Sequence, residues 1–368
     1  MKTRHHLLAF AAGANADPIT PAFDPRLAIQ SVTLLHSTGE TARAEWLGEV
    51  LRDGGKTVEL QRIPNLSRFT SLREFLSTLF DRLPPSILNV SGCDAARAGL
   101  ALQAALKAGL PVCVVEPETD RLHWLSAPAH FVGFDVADRI TLEGFLQAHG
   151  YGCQSATTWL GDPADSLDDV AGDLAERCLG NVRLIEGLRD CLQLNGDTAI
   201  RPVVGSTLRR MVEDLARRNL LEILPGWRVR IPVPEHRAFL SGGWLERWLF
   251  REVLRIAGPG KLQDAACGLR ISTEAGVENE LDLAVLRDNA LYFAECKGYA
   301  RPGIGNEVLF KLHSLTEQRD LNARGLILST RAPTAAEALR AENLSLLVIG
   351  GDSLAATRQQ ISTWLQLA

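Results

Sequence analysis

Residues 278–297 read Glu-Asn-Glu-Leu-Asp-Leu-Ala-Val-Leu-Arg-Asp-Asn-Ala-Leu-Tyr-Phe-Ala-Glu-Cys-Lys, two apolar runs joined at Asp288-Asn289. Both joining residues tolerate positive φ, so the dipeptide predicts a two-residue hairpin turn. Such a turn opposes Arg287 to Ala290. Counting back along both strands puts Asp282 across from Glu295, with Cβ atoms about 4.5–5.5 Å apart. Side chains alternate along a strand, so Lys297 shares a face with Glu295. That face holds Asp282, Glu295 and Lys297 at one end, with Ala284, Leu286, Leu291 and Phe293 behind them. The other face reads Leu281, Leu283, Val285, Tyr292, Ala294 and Cys296. Strands apolar on both faces belong in a sheet interior. Two carboxylates beside an amine are costly there unless compensated, and a divalent cation is the natural compensation.

A helix expected over Gly242–Ile256 adds a further charge. At helical spacing Glu246 lies on the stripe of Leu249, Phe250 and Val253, while Arg247, Arg251 and Arg255 form a solvated line. An acid on the apolar stripe reads either as a helix-end charge near the positive dipole or as a metal ligand.

The remainder of the chain frames that element. Residues 1–150 alternate strand-like runs (His6–Phe10, Ser31–His36, Thr57–Ile63, Ser86–Val90, Pro111–Val115) with helical patterns (Glu40–Arg52, Leu66–Leu83, Asp94–Ala108). This alternation predicts a mostly parallel sheet covered on both faces, with ligands beyond the carboxyl ends of the strands. Two such ends run straight into helix starts: His36-Ser37-Thr38-Gly39 and Ser91-Gly92-Cys93-Asp94. A ligand at Thr38, Ser91, Gly92, Cys93 and Asp94 is one reading, and an ordinary helix cap is the other. Met1–Ala16 imitates a secretory leader, but its apolar core, Leu7–Ala12, is short enough to favour a first strand.

Residues 151–235 turn helical (Ser166–Cys178, Asn181–Leu192, Ser206–Asn219) and end in a ribbon, Leu220–Leu224 and Trp227–Ile231, around Pro225-Gly226. That is the outline of a winged helix, or of a helical linker with a hairpin. Its 10 basic and 13 acidic residues weigh against an independent DNA reader. A third unit, residues 236–368, contains the hairpin, a helix near Asn306–Arg319 and a strand at Gly325–Ser329. With 46% apolar and 23% charged residues and a net charge of −5, the chain is neither disordered nor a bulk coat for nucleic acid. No apolar run approaches membrane-spanning length. Seven scattered cysteines without a Cys-x-x-Cys pair fit a reducing cytoplasm.

Asp282, Glu295-x-Lys297 and Glu246 on a preceding helix resemble the PD-(D/E)xK restriction-endonuclease-like nucleases. The wider string is more specific: Gly242-Gly243-Trp244-Leu245-Glu246, Asn279-Glu280-Leu281-Asp282, Glu295-Cys296-Lys297 and Lys311-Leu312-x-Ser314-Leu315. It is similar to the nuclease domain of the CRISPR-ancillary enzymes activated by cyclic oligoadenylates, in which a Rossmann-like CARF domain precedes the nuclease. A stand-alone bacterial branch with a winged-helix-like middle is nearer still and shares the run Val114-Val115-Glu116-Pro117. The resemblance implies an α/β chain in three parts: a CARF-like sensor and dimerisation domain (1–150), a winged-helix-like linker (151–235) and a nuclease domain (236–368). It implies a homodimer, a cyclic oligonucleotide activator, a nucleic acid substrate with DNA favoured, and a role in antiviral or mobile-element defence. CRISPR-linked members carry Thr-Gly-Gly-Thr-Lys after the fourth strand. This chain has Ser91-Gly92-Cys93-Asp94-Ala95, with no lysine and an aspartate at the helix start.

On this reading Asp282, Glu295, the Cys296 carbonyl and Glu246 hold Mg²⁺ or Mn²⁺, hard cations that choose oxygen donors. Lys297 stabilises the transition state, and Lys311 is a candidate phosphate contact. Two alternatives stay open: a ligand-responsive DNA-binding regulator that keeps the nuclease fold as scaffold, and a repair or restriction nuclease without a sensor.

Overall fold

The computed structural model describes residues 5–13, 16–64, 69–127, 132–298, 305–317 and 323–367. Short apolar runs form the first sheet: β1 (His5–Phe10), β2 (Ile29–His36), β3 (Thr57–Arg62), β4 (Ser86–Asn89), β5 (Val112–Glu116), β6 (Arg121–Ser126) and β7 (Phe134–Asp135). Their order is β3-β2-β1-β4-β5-β6-β7. The first five are parallel, and β6 and β7 return antiparallel. Leu7 to Phe10 are buried without interruption, as helices on both faces require. The apolar core of the leader-like stretch is therefore β1, while Ala14-Asn15 lies outside the described residues. The covering helices are α1 (Thr20–Phe23), α2 (Thr41–Asp53), α3 (Phe69–Phe80), α4 (Ala95–Ala108) and α5 (Leu142–Ala148). Residues 66–68 of the expected third helix lie outside the described residues. Asp94 caps α4 by accepting from the Arg97 N–H. Strand order reverses between β1 and β4, which opens a crevice at their carboxyl ends.

The middle of the chain consists of α6 (Ser166–Cys178), α7 (Val182–Cys191), α8 (Ser206–Arg217) and a small antiparallel sheet. The sheet runs β10 (Leu194–Asn195), β11 (Thr198–Ala199), β13 (Arg228–Arg230), β12 (Glu222–Leu224). A helix followed by a ribbon is thus present, with a hairpin before the helix that the sequence pattern did not reveal.

The third sheet is ordered β18-β17-β16-β15-β14-β8. Its strands are β14 (Asp264–Thr273), β15 (Glu278–Arg287), β16 (Ala290–Lys297), β17 (Arg324–Ser329) and β18 (Leu347–Gly350). Two short strands from the segment expected to be helical, β8 (Tyr151–Ser155) and β9 (Thr158–Trp159), both pair with β14. The helices are α9 (Pro234–Ala238), then a π-helical turn at Phe239–Gly243 running into α10 (Trp244–Ala257), α11 (Asn306–Glu317), α12 (Ala335–Asn343) and α13 (Leu354–Trp364). The hairpin register is the one the sequence predicts, from Arg287–Ala290 to Leu283–Ala294. Asp288 and Asn289 take φ of 49° and 50°.

Face alternation holds along most of the hairpin. Ala284, Leu286, Leu291 and Phe293 join one apolar layer, and Leu283, Val285, Tyr292, Ala294 and Cys296 join the other. Leu281 departs from it and packs with the first layer. The cause lies on the neighbouring strand, where Gly268 at φ 60° interrupts the pairing between Cys267–Leu283 and Leu269–Leu281. A Cβ there would sit 2.4 Å from Thr157 Oγ1, so only glycine fits. Among the described residues no helix is long and apolar enough to cross a membrane. All seven cysteines are free thiols.

Candidate active site

The candidate rim forms where β15 and β16 part. Their ladder ends at Leu283–Ala294, after which Glu278–Leu281 stays with β14 and Glu295–Lys297 stays with β17. The expectation of a flat Asp282–Glu295 pair is corrected accordingly. Beyond the last pair the Asp282 carboxylate takes over the ladder's role, and its Oδ2 accepts from the Cys296 N–H at 2.6 Å.

Glu295 is almost fully buried, at 7% exposure, and each of its oxygens meets an ammonium group. Lys297 Nζ donates to Oε1 at 2.5 Å and Lys311 Nζ to Oε2 at 3.0 Å. Lys311 also reaches the Glu280 carbonyl at 3.4 Å. The lysine expected as an outlying phosphate contact is therefore part of the carboxylate cluster.

Glu246 arrives from α10. The buried face of that helix, Trp244, Leu245, Trp248, Leu249, Phe250 and Val253, anchors it on the sheet. Its N-terminus is drawn over the end of β16 by a glycine contact, where a Cβ on Gly298 would lie 3.3 Å from Gly242 Cα. Arg247 and Arg251 are not a solvated line. Both bind Asp168 of α6, at 2.5 Å and 2.9 Å, because α6 packs across α10. Arg255 pairs with Glu252.

The electrostatics follow from this crowding. Burial, then the charges of Asp282, Glu280 and Glu295, push Glu246 up to about 7 against the pull of Lys297. Asp282 rises to about 6 through burial and Glu295, partly offset by the Cys296 N–H and the two lysines. Burial opposes the Lys297 ammonium, yet its hydrogen bond and charge pairing with Glu295, aided by Asp282, raise its pKa. Burial lifts the Cys296 thiol well above its ordinary range, so sulfur offers no thiolate here. Among the described residues, no group of three or more His, Cys, Asp or Glu side chains is arranged to hold a metal ion as it stands. The oxygens of Glu295 and one of Asp282 are occupied by N–H donors.

At the N-terminal crevice the candidates divide. Ser91 is buried and structural: its hydroxyl donates to Asn89 Oδ1 at 2.6 Å and accepts from the Val115 N–H at 2.8 Å. Gly92, at φ 73°, packs so closely on the β1 exit that a Cβ would meet the Ala12 carbonyl at 2.5 Å. The Cys93 thiol is pushed up to about 12 by burial. Thr38 and Asp94 are exposed. Two cations that sequence reasoning missed stand beside them. Arg62 donates to Thr38 Oγ1 at 2.5 Å, and Arg97 binds Glu40 at 2.5 Å and Asp94 at 3.0 Å. Their positions, at the carboxyl end of β3 and in the first turn of α4, were the available signal.

Comparison with known proteins adds a domain assignment and a fold. Residues 234–368 match the family model of the Card1-like endonuclease domain. The crystal structure of protein VC1899 from Vibrio cholerae superposes with a TM-score of 0.85 at 24% sequence identity, covering 98% of each chain. Can2 from Sulfobacillus thermosulfidooxidans, solved in complex with cyclic tetra-adenylate, gives a TM-score of 0.81 at 19% identity, covering 98% of this chain and 99% of that one. Comparison with curated proteins returns no match.

Proposed function

We propose that this chain is a divalent-metal-dependent endonuclease that cleaves nucleic acid phosphodiesters, DNA in preference to RNA. The observation that carries the reading is the convergence of Glu246, Asp282 and Glu295 from three elements around Lys297 and Lys311. The match of residues 234–368 to the Card1-like endonuclease domain supports it.

The donor chemistry fits a hard cation. Three carboxylates against two ammonium groups leave one net negative charge when all are ionised. A divalent ion and one phosphodiester monoanion would then bring the site to neutrality. Asp282, Glu295 and Glu246, with the Cys296 carbonyl beside them, are the oxygens that would hold Mg²⁺ or Mn²⁺. Such an ion supplies neutralisation of the scissile phosphate and acidification of a bound water. The chain's own groups do the positioning. Lys297 Nζ offers its protons to the developing negative charge. Lys311 Nζ faces the same carboxylate from α11 and turns to a non-bridging phosphate oxygen. Glu246 orients a water at the rim, which its poise near neutral pH permits.

The reading extends to regulation. A cyclic oligonucleotide at the N-terminal crevice follows the likeness to Can2, whose structure holds cyclic tetra-adenylate, and a homodimer through that unit is part of the same reading. Arg62 and Arg97 are the cations available to such an anion, and Arg97 would exchange Glu40 and Asp94 for phosphate. A role in defence against mobile elements accompanies this regulation.

A cleavage assay on plasmid, single-stranded DNA and RNA with Mn²⁺, with and without cyclic tetra-adenylate, tests the reading. Cleavage by wild type and none by Glu295→Ala is expected. Equal cleavage by both, or none by wild type on any substrate, overturns it.

A further inference from the structure

The middle unit carries more acid than base, yet several of its acids are taken up by ion pairs. Asp165 and Asp168 hold Arg247 and Arg251, Asp173 holds Arg218, Asp214 holds Arg177 and Arg217, and Glu186 holds Arg331. What remains at the tip of the β12–β13 ribbon is basic. Arg209 of α8 lays its guanidinium over the Trp227 ring, 4.5 Å from the centroid, and meets no carboxylate among the described residues. The Arg228 side chain, next along the ribbon, is exposed and has no partner among them. Trp227 itself sits at φ 59°, a conformation uncommon for a bulky residue. Its carbonyl is held by the N–H of the buried Val203 at 2.7 Å, which brings the exposed Ile200 and Val204 alongside. A half-buried aromatic ring under Arg209, with the exposed Arg228 next to it and exposed aliphatic side chains nearby, suits a phosphate backbone with a base stacked at the ring's open edge.

We infer that the ribbon tip formed by Arg209, Trp227 and Arg228 is a nucleic-acid-binding surface that holds the substrate strand outside the catalytic rim. The inference rests on the nuclease reading for its substrate. The winged unit is tied through Arg247 and Arg251 to α10, the helix that carries Glu246, so a strand gripped at the tip is held by the same rigid support as the site.

The test is fluorescence anisotropy of full-length Glu295→Gln protein, without metal, on labelled single strands and duplexes across a salt series. Arg209→Ala/Arg228→Ala should weaken binding at least about tenfold and lower the slope of log affinity against log salt by about 1.4–1.8. Arg209→Lys/Arg228→Lys should keep the slope. Trp227→Ala should weaken single strands more than duplexes. Arg228→Ala alone, which breaks no contact within the chain, reports if the other variants fail to fold. Parental affinity and slope in the alanine variants, or no binding by the parent, overturns the inference. Cleavage by the wild type, measured in parallel, judges the nuclease reading independently.

Discussion

Lys311 Nζ lies 3.0 Å from Oε2 of Glu295, the oxygen that Lys297 leaves free. The two ammonium groups are not equivalent. Lys297 extends from the same strand as Glu295, while Lys311 depends on the packing of α11 through Leu309, Leu312 and Leu315. Lys297→Ala should lower the single-turnover cleavage rate about 10²- to 10³-fold, the scale of losing one transition-state donor. Lys311→Ala should act mainly on substrate affinity, raising KM about tenfold. Both should melt within a few degrees of wild type, since Glu295 keeps one partner in each.

Asp282 should show stability and function opposed. Its carboxylate is buried against other acids and pushed up to about 6. Asp282→Asn removes the repulsion while its amide oxygen still accepts from the Cys296 N–H. Thermal melting without metal should place this variant above wild type. Mn²⁺ should stabilise wild type, by about 2.7 kcal/mol at a hundredfold excess over Kd, and leave the variant unmoved. Its cleavage should be lost.

A pH signature belongs to Asp120, in the turn between β5 and β6, which accepts from Asn289 Nδ2 at 2.8 Å. Burial first, then Asp138, Asp17 and Asp135, raise it to about 8, against the Asn289 hydrogen bond. The folded state therefore holds a proton that the unfolded chain releases near pH 4. Stability should fall from about pH 4 to about pH 8 and level off above. Asp120→Asn keeps an acceptor for Asn289 and suits the positive φ. Its melting temperature should exceed that of wild type increasingly towards pH 8, by roughly 1–2 °C for each kcal/mol recovered.

Gly268→Ala should destabilise the chain by about 2 kcal/mol or more, through both positive φ and the collision with Thr157. Adding Thr157→Ala should not restore the full loss, because the backbone strain remains. Denaturant midpoints of Gly268→Ala, Thr157→Ala and the double variant measure the two contributions separately.

Local chemistry made the hairpin readable. Asp288-Asn289 specifies the turn, the turn sets the register, and apolar runs announce β1 to β5. The parting of the strands at Asp282 was hidden, because it depends on Gly268 one strand away. So was the reach of Lys311, which depends on where α11 packs. The strands β8 and β9 were missed because their partner, β14, lies more than a hundred residues along the chain, beyond any local periodicity. The hydrogen bonds that tie the buried Ser91 to Asn89 and Val115 were not legible in sequence, because Val115 lies on the next strand. The charge count of the middle unit could not tell which of its acids face Arg247 and Arg251.

One apolar layer runs unbroken from Leu7, Ile29 and Val32 of the first sheet to Ala266, Leu286 and Phe293 of the third. Between them Gln263 bridges the Ile140 carbonyl and the Asn289 amide, which in turn holds Asp120. The two ends of the chain are thus halves of one oily seam, and cutting them apart would leave each with a bare wall and little solubility. On the proposed reading, a ligand at the N-terminal crevice would act on the carboxylates through this shared packing.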